Sequence, residues 1–230
     1  MGKNIKEFET KLGVSFNDIN VLRHAFVHRS YINEHKESGL EHNERLEFLG
    51  DAVLELVVTD FLFGKYPEKT EGELTAYRAA LVNTNSLSEA SSRLGVNEYL
   101  LLSKGESQDM GRARQYILAN TFESIVGALY IDQGYDASQK FIADNLFGLI
   151  EEIVSKRLWQ DSKSLFQEKS QEHASVTPRY ELIEEKGPDH DREFVIGVYL
   201  DKELVATGKG RAKQEAEQEA AKNALEAKNW

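Results

Sequence analysis

Glu44-Arg45-Leu46-Glu47-Phe48-Leu49-Gly50-Asp51-Ala52-Val53-Leu54 sets three carboxylates inside an otherwise apolar run. At about 100° per residue on a helix, Glu44, Glu47 and Asp51 share one stripe, and Glu55 continues it. The other positions, among them Leu46, Phe48, Leu49, Val53, Leu56, Val57 and Val58, are apolar on nearly every side. A helix of that kind is expected to be buried. Buried carboxylates are costly unless paired or bound to a cation, so the stripe fits a site that holds a divalent metal. The plain alternative is the solvated face of an ordinary amphipathic helix.

A second stretch follows the same rule. Ile117 to Tyr130 is apolar, with Asn120 and Glu123 three apart on one face, and Gly127 and Ala128 are small enough for a neighbouring helix to come close. Two helices with oxygen-bearing stripes suggest a metal site in a bundle core, with ligands from facing helices. Carboxylate and amide oxygens suit hard cations such as Mg²⁺ or Mn²⁺ and not zinc.

The run His42 to Leu54 resembles the signature of the ribonuclease III family, and Ile117 to Tyr130 is similar to that family's second catalytic helix. Val27-His28-Arg29-Ser30-Tyr31, and Glu71-Gly72-Glu73-Leu74 ahead of Arg78, fit the same family. The C-terminal third resembles a double-stranded RNA-binding domain, so the likeness runs over essentially the whole chain. It implies a multidomain fold: an all-α endonuclease domain over 1–155, a linker over 156–160 and an α+β (α-β-β-β-α) double-stranded RNA-binding domain over 161–230.

The resemblance also implies chemistry. Carried over residue by residue, Glu47, Asp51, Asn120 and Glu123 would bind Mg²⁺, or Mn²⁺ in its place, at the scissile phosphate, and no side chain need be the nucleophile. Glu44 resembles an auxiliary acid and Glu71 a further acid of the family's catalytic set, each with a helix-end charge as the alternative. Asn120 departs from the family, which usually has Asp there. A neutral amide oxygen still ligates a hard cation, with one negative charge fewer. Phe48 points away from the stripe, and the resemblance makes it a contact of a homodimer, against a plain core aromatic. His24 and His28, four apart, lack a third soft ligand, so a packing role is expected.

In the second domain duplex RNA would be read through shape, 2′-hydroxyls and phosphates. By the resemblance, Ser164, Gln167 and Gln171 suit one minor groove and His190 the next. Lys209, Arg211 and Lys213 at the start of the last helix suit phosphates. Gln214 stands where the family often has a second adjacent basic residue. The implied protein is an endoribonuclease that leaves 5′-phosphate and 3′-hydroxyl ends, acting on precursors of ribosomal RNA and on structured messenger and transfer RNA. The rival is a non-catalytic duplex-RNA-binding or ribosome-associated protein that kept the fold.

Composition bounds these readings. With 230 residues and no cysteine, the chain excludes disulfide frameworks and thiolate zinc sites and suits a reducing, cytoplasmic setting. The N-terminus has no apolar signal core, no window is long and apolar enough for a membrane span, and no small-molecule organic cofactor is expected. The net charge of −11 runs against a nucleic-acid partner at first sight, and both parts are acidic: 17 basic and 24 acidic residues up to Trp159, 11 and 15 beyond it. A local basic strip, or metals bridging acids to phosphates, can still serve.

Periodicity gives the elements. Phe8 to Phe26 reads as two short helices broken near Gly13, and Thr75 to Leu94 as one helix closed by Gly95. Ser103 to Arg114 reads as a mobile polar segment, and Asp136 to Leu158 as a final helix. Beyond the linker come a helix (Ser164 to His173), strands at Arg179–Ile183, Phe194–Leu200 and Glu203–Gly208 with a turn at Gly187–His190, and a helix over Ala212–Leu225.

Overall fold

A computed structural model describes residues 4–187 and 192–230, and the chain divides into two compact units, Met1–Trp159 and Gln160–Trp230. The first is helical: α1 (Ile5–Leu12), α2 (Ile19–Ala25), α3 (Arg29–Glu34), α4 (Glu44–Lys65), α5 (Glu71–Leu81), α6 (Thr84–Leu94), α7 (Lys104–Gln108), α8 (Arg112–Gln133), α9 (Tyr135–Leu146) and α10 (Ile150–Ser155). Short 3₁₀ turns lie at Lys36–Ser38, Val96–Glu98 and Phe147–Leu149. Gly13 and Gly95 close α1 and α6 in the left-handed conformation, where a residue without Cβ carries no penalty.

The two long helices α4 and α8 pack on each other at the centre. Leu54, Val57, Val58 and Leu62 of α4 and Phe122, Ile125, Val126 and Leu129 of α8 are fully buried. Each such side chain stabilises the unit by about 1.5–3 kcal/mol relative to exposure. The expectation of a helix buried all round fails for α4. Phe48 is 82% exposed, Leu56 58% and Phe63 73%, so one apolar face has no cover from this unit. That placement also removes the core-aromatic alternative for Phe48.

Three further expectations are corrected. Thr75–Leu94 is two helices. α5 starts earlier, at a capping box in which Thr70 and Glu73 satisfy each other's main-chain N–H groups, and Asn83 breaks the run by accepting from the Ser86 N–H (3.0 Å) to cap α6. Asp136–Leu158 is interrupted at Phe147–Leu149. Ser103–Arg114 is tied down: Ser103 caps α7, and the buried Arg114 donates to the carbonyls of Glu106 (2.6 Å) and Asp109 (3.1 Å) and to Asn97 Oδ1 (2.9 Å). A buried guanidinium bonded through each of its three nitrogens fixes the segment that supplies the acceptors.

The second unit runs α11 (Ser162–Ala174), β1 (Arg179–Lys186), β2 (Glu193–Leu200), β3 (Glu203–Gly210) and α12 (Lys213–Lys228). The strands form an antiparallel sheet in the order β1-β2-β3. Its core joins Phe166, Val198 and Leu200 to Ala220, Ala221, Ala224 and Leu225. Alanines on α12 let it lie against β3 so closely that a Cβ on Gly208 would overlap the Ala216 and Ala220 backbone. The order helix, three strands, helix is the α-β-β-β-α arrangement expected. Of the expected turn, Pro188, Asp189 and His190 lie outside the described residues.

Candidate active site

Two glycines bring the carboxylates together. A Cβ on Gly50 would overlap the Glu123 carbonyl, and one on Gly127 would overlap the Leu46 carbonyl, so α4 and α8 touch backbone to backbone. Glu47 and Asp51, on either side of Gly50, are thereby held against Asn120 and Glu123.

The charges report the proximity. Burial, then the Asp51 and Glu47 charges, push the Glu123 carboxyl up to about 8. Glu47 is also raised, first by burial and then by the Glu44 and Asp51 charges, while the Asn120 side chain, hydrogen-bonded to its carboxylate, pulls the other way. No basic side chain is among the groups acting on either one. An acidic cluster without a cationic partner, part-buried between two helices, fits a hard divalent cation by its donor chemistry. Among the described residues no three His, Cys, Asp or Glu side chains converge on one point at ligating distance. The fourth member of this set, Asn120, is an amide.

The other expected site residues are placed as follows. Glu44 is exposed, 3.8 Å from Arg29 Nη1 and 3.6 Å from His42 Nδ1, and its charge still reaches Glu47. Glu55 leaves the stripe for Arg78 (2.8 Å). Glu71, at the start of α5, accepts from Thr75 Oγ1 (3.1 Å) and lines a cavity of about 400 Å³ with Leu62, Phe63, Leu74 and Arg78. Its charge is not among those acting on Glu47 or Glu123, so the fold of this chain does not bring it to the cluster. His24 Nε2 bonds the His42 carbonyl (3.0 Å), and His28 Nδ1 bonds Ser30 and caps α3.

In the second unit Ser164, Gln167 and Gln171 share an open hollow along α11 with Glu168 and Glu172. Lys209, Arg211 and Lys213 are exposed at the junction of β3 and α12. Lys209 belongs to β3 and only Lys213 to the helix. Main-chain N–H groups of Lys209 and Arg211 donate to Glu219 and Glu215, which ties the backbone of this junction to α12.

Sequence reasoning missed Gly50, whose only signal is a glycine inside an apolar helix, facing Gly127. It also gave no role to Asn43, read only as part of the run His42 to Leu54.

A ribonuclease-III-like family model matches residues 18–150, and a double-stranded RNA-binding motif matches 162–228. The chain belongs to the ribonuclease III family. It is 45% identical over 219 residues to ribonuclease 3 of Enterococcus faecalis, covering 95% of each chain. It is 47% identical over 221 residues to that of Geobacillus kaustophilus, covering 96% of this chain and 89% of the relative. The solved nuclease domain of ribonuclease III from Campylobacter jejuni matches with a TM-score of 0.55 at 37% identity, covering 62% of this chain and 98% of that one. As a member of the ribonuclease III family, the chain is an endoribonuclease of double-stranded RNA, with the helical unit as nuclease and the α-β-β-β-α unit as the RNA-binding part. Among the described residues no helix is long and apolar enough to cross a membrane.

Proposed function

We propose that the protein cleaves duplex RNA by metal-assisted hydrolysis at the α4–α8 cluster. The products are 5′-phosphate and 3′-hydroxyl ends, and the role is cytoplasmic processing of ribosomal RNA precursors and structured messenger and transfer RNA. The observation that carries this reading is the acidic cluster between two helices that touch at Gly50 and Gly127: the Asp51 and Glu47 charges both act on Glu123, and no basic side chain acts on Glu47 or Glu123. Glu47, Asp51, Glu123 and the carbonyl oxygen of Asn120 would hold Mg²⁺, with Mn²⁺ as a substitute. Bound there, the metal supplies a water of lowered pKa and neutralises charge developing on the phosphate. The Glu123 carboxyl, pushed up to about 8 by burial and the Asp51 and Glu47 charges, holds its proton at neutral pH. The Asn120 side chain, hydrogen-bonded to the Glu47 carboxylate, offsets part of the upward shift that burial imposes on it. Ser164, Gln167, Gln171, Lys209, Arg211, Lys213 and His190 would bind the duplex.

The uncovered face of α4 supports a homodimer. Phe48, Leu56 and Phe63 are large, apolar and exposed, and the cavity lined by Leu62, Phe63 and Leu74 opens on the same helix. A surface that carries both a projecting aromatic and an apolar hollow is what a two-fold, self-complementary interface requires. The Campylobacter jejuni nuclease domain has a region involved in dimer formation. The decisive experiment is incubation of long duplex RNA with the protein in Mg²⁺ and in EDTA. Cleavage in Mg²⁺ alone is expected, with single strands spared. Intact duplex in both, or cleavage in both, overturns the metal-assisted reading.

A further inference from the structure

We infer that Asn43 and Ser124 form a clasp that fixes how α4 and α8 are set against each other, making both of them positioning residues of the site. The inference rests on the reading that Glu47, Asp51, Asn120 and Glu123 hold a divalent cation. Asn43 occupies the position just before α4, where an asparagine side chain ordinarily accepts a bond from the first turn of its own helix. Here it makes no such bond. Its Nδ2 instead donates to the Ala25 carbonyl (2.9 Å), and its main-chain N–H donates to the Val27 carbonyl (2.9 Å). Its own carbonyl accepts from the Glu47 N–H (2.9 Å) and from Ser124 Oγ (3.4 Å). Asn43 is 4% exposed and Ser124 fully buried, so water does not compete for these bonds.

Three chain segments therefore meet at one residue: the end of α2, the start of α4 and the middle of α8. The glycine crossings at Gly50 and Gly127 and the buried apolar faces beyond them hold α4 against α8. Asn43 lies about 10 Å from Gly50 along the chain at 1.5 Å per helical residue, and it adds a polar tie at that end of the helix pair. Glu47 sits between Asn43 and Gly50 and takes its main-chain bond from Asn43. Glu123 is next to Ser124, whose single hydroxyl proton is shared between the Asn120 carbonyl (2.9 Å), the stronger branch, and the Asn43 carbonyl (3.4 Å). A shift at the clasp thus changes the separation of ligands on opposite helices, and metal affinity falls steeply when ligands move from their geometry.

The test measures Mn²⁺ binding to the full-length protein by electron paramagnetic resonance, without RNA, in wild type, Asn43→Ala, Ser124→Ala, the double variant and Glu123→Gln. Duplex-RNA affinity is measured in EDTA. Asn43→Ala is expected to raise the Mn²⁺ dissociation constant about tenfold and Ser124→Ala at least threefold, with the double variant no worse than Asn43→Ala. RNA affinity should stay within twofold, and the cleavage rate at saturating Mg²⁺ should fall with KM for RNA unchanged. Ser124→Ala is nearly isosteric and decides the matter alone if Asn43→Ala does not fold. Wild type that binds no Mn²⁺, or Glu123→Gln that binds it as wild type does, sinks the metal reading. Folded clasp variants that bind Mn²⁺ like wild type, while Glu123→Gln does not, overturn the clasp and leave the metal reading standing.

Discussion

Replacing Glu123 by glutamine should stabilise the metal-free protein at alkaline pH while removing its capacity for metal. Burial and the neighbouring Asp51 and Glu47 charges move this carboxyl from 4.5 to about 8. At 1.36 kcal/mol per unit, the ionised form is disfavoured by on the order of 4–5 kcal/mol, an upper bound that partial solvent access and side-chain relaxation reduce to about 2–3. Because the folded pKa is the higher one, the folded state binds more protons than the unfolded chain between about 4.5 and about 8. Stability from this group is therefore fully present below that window and lost as pH rises through it. Glutamine has no proton to lose. The advantage of Glu123→Gln should accordingly grow from near zero at about pH 5 to roughly 2–3 kcal/mol at about pH 9, or roughly 5–10 °C in the melting of the nuclease unit. Calorimetry in EDTA across that range measures it. Mg²⁺ at about a thousand times its Kd should then reverse the order at about pH 9, since it stabilises by about 4.1 kcal/mol and the variant gains little of it. Parallel pH profiles for the two proteins in EDTA would refute the argument, because the ionised Glu123 would then carry no strain.

Gly127→Ala drives a methyl into the Leu46 carbonyl and should cost about 1–3 kcal/mol in urea denaturation, whereas Gly64→Ala, with open space around it in the same helix pair, should gain about 0.5–1; equal effects would remove the backbone crossing as the cause. Phe48→Glu should convert a dimer to a folded monomer by analytical ultracentrifugation, and a dimeric mass would take the α4 face out of the interface. Asn120→Asp should lower the Mg²⁺ concentration for half-maximal cleavage several-fold, more at about pH 8.5 than at about pH 7, because protons compete for the added carboxylate, and Asn120→Ala should raise it. Coincident curves would exclude Asn120 from the site.

The central helices were legible because their information is local. Acidic positions three and four apart in apolar runs, with small residues on one face, mark both the elements and the contact. The breaks were harder. The interruption at Asn83 carries no proline or glycine, and a capping asparagine reads like any polar position until its bond to Ser86 is seen. The start of α5 had a readable signal in Thr70-Glu71-Gly72-Glu73, the capping-box spacing. Arg114 was not readable as buried, since its acceptors are carbonyls of Glu106 and Asp109, which any residue type would provide. Phe48 shows a further limit: apolarity on every side of α4 announces burial, but not whether the covering surface belongs to this protomer.

Asn120 is best understood through the charge already present. With Glu123 held at about 8, the metal-free site is short of solvent and rich in negative charge. A fourth carboxylate in place of Asn120 would face Glu47 directly and raise its cost of ionisation, since the amide that now favours the charged form of Glu47 would be replaced by a like charge. The amide therefore exchanges some attraction for a cation against a lower penalty for clustering the carboxylates, and it offsets part of the upward shift that burial gives Glu47. That balance ties metal affinity and apo stability to the same residue. In Asn120→Asp the two should move in opposite directions: tighter Mg²⁺ binding together with a lower melting temperature in EDTA at about pH 9. A variant that gained both would show that Asn120 does not act through Glu47.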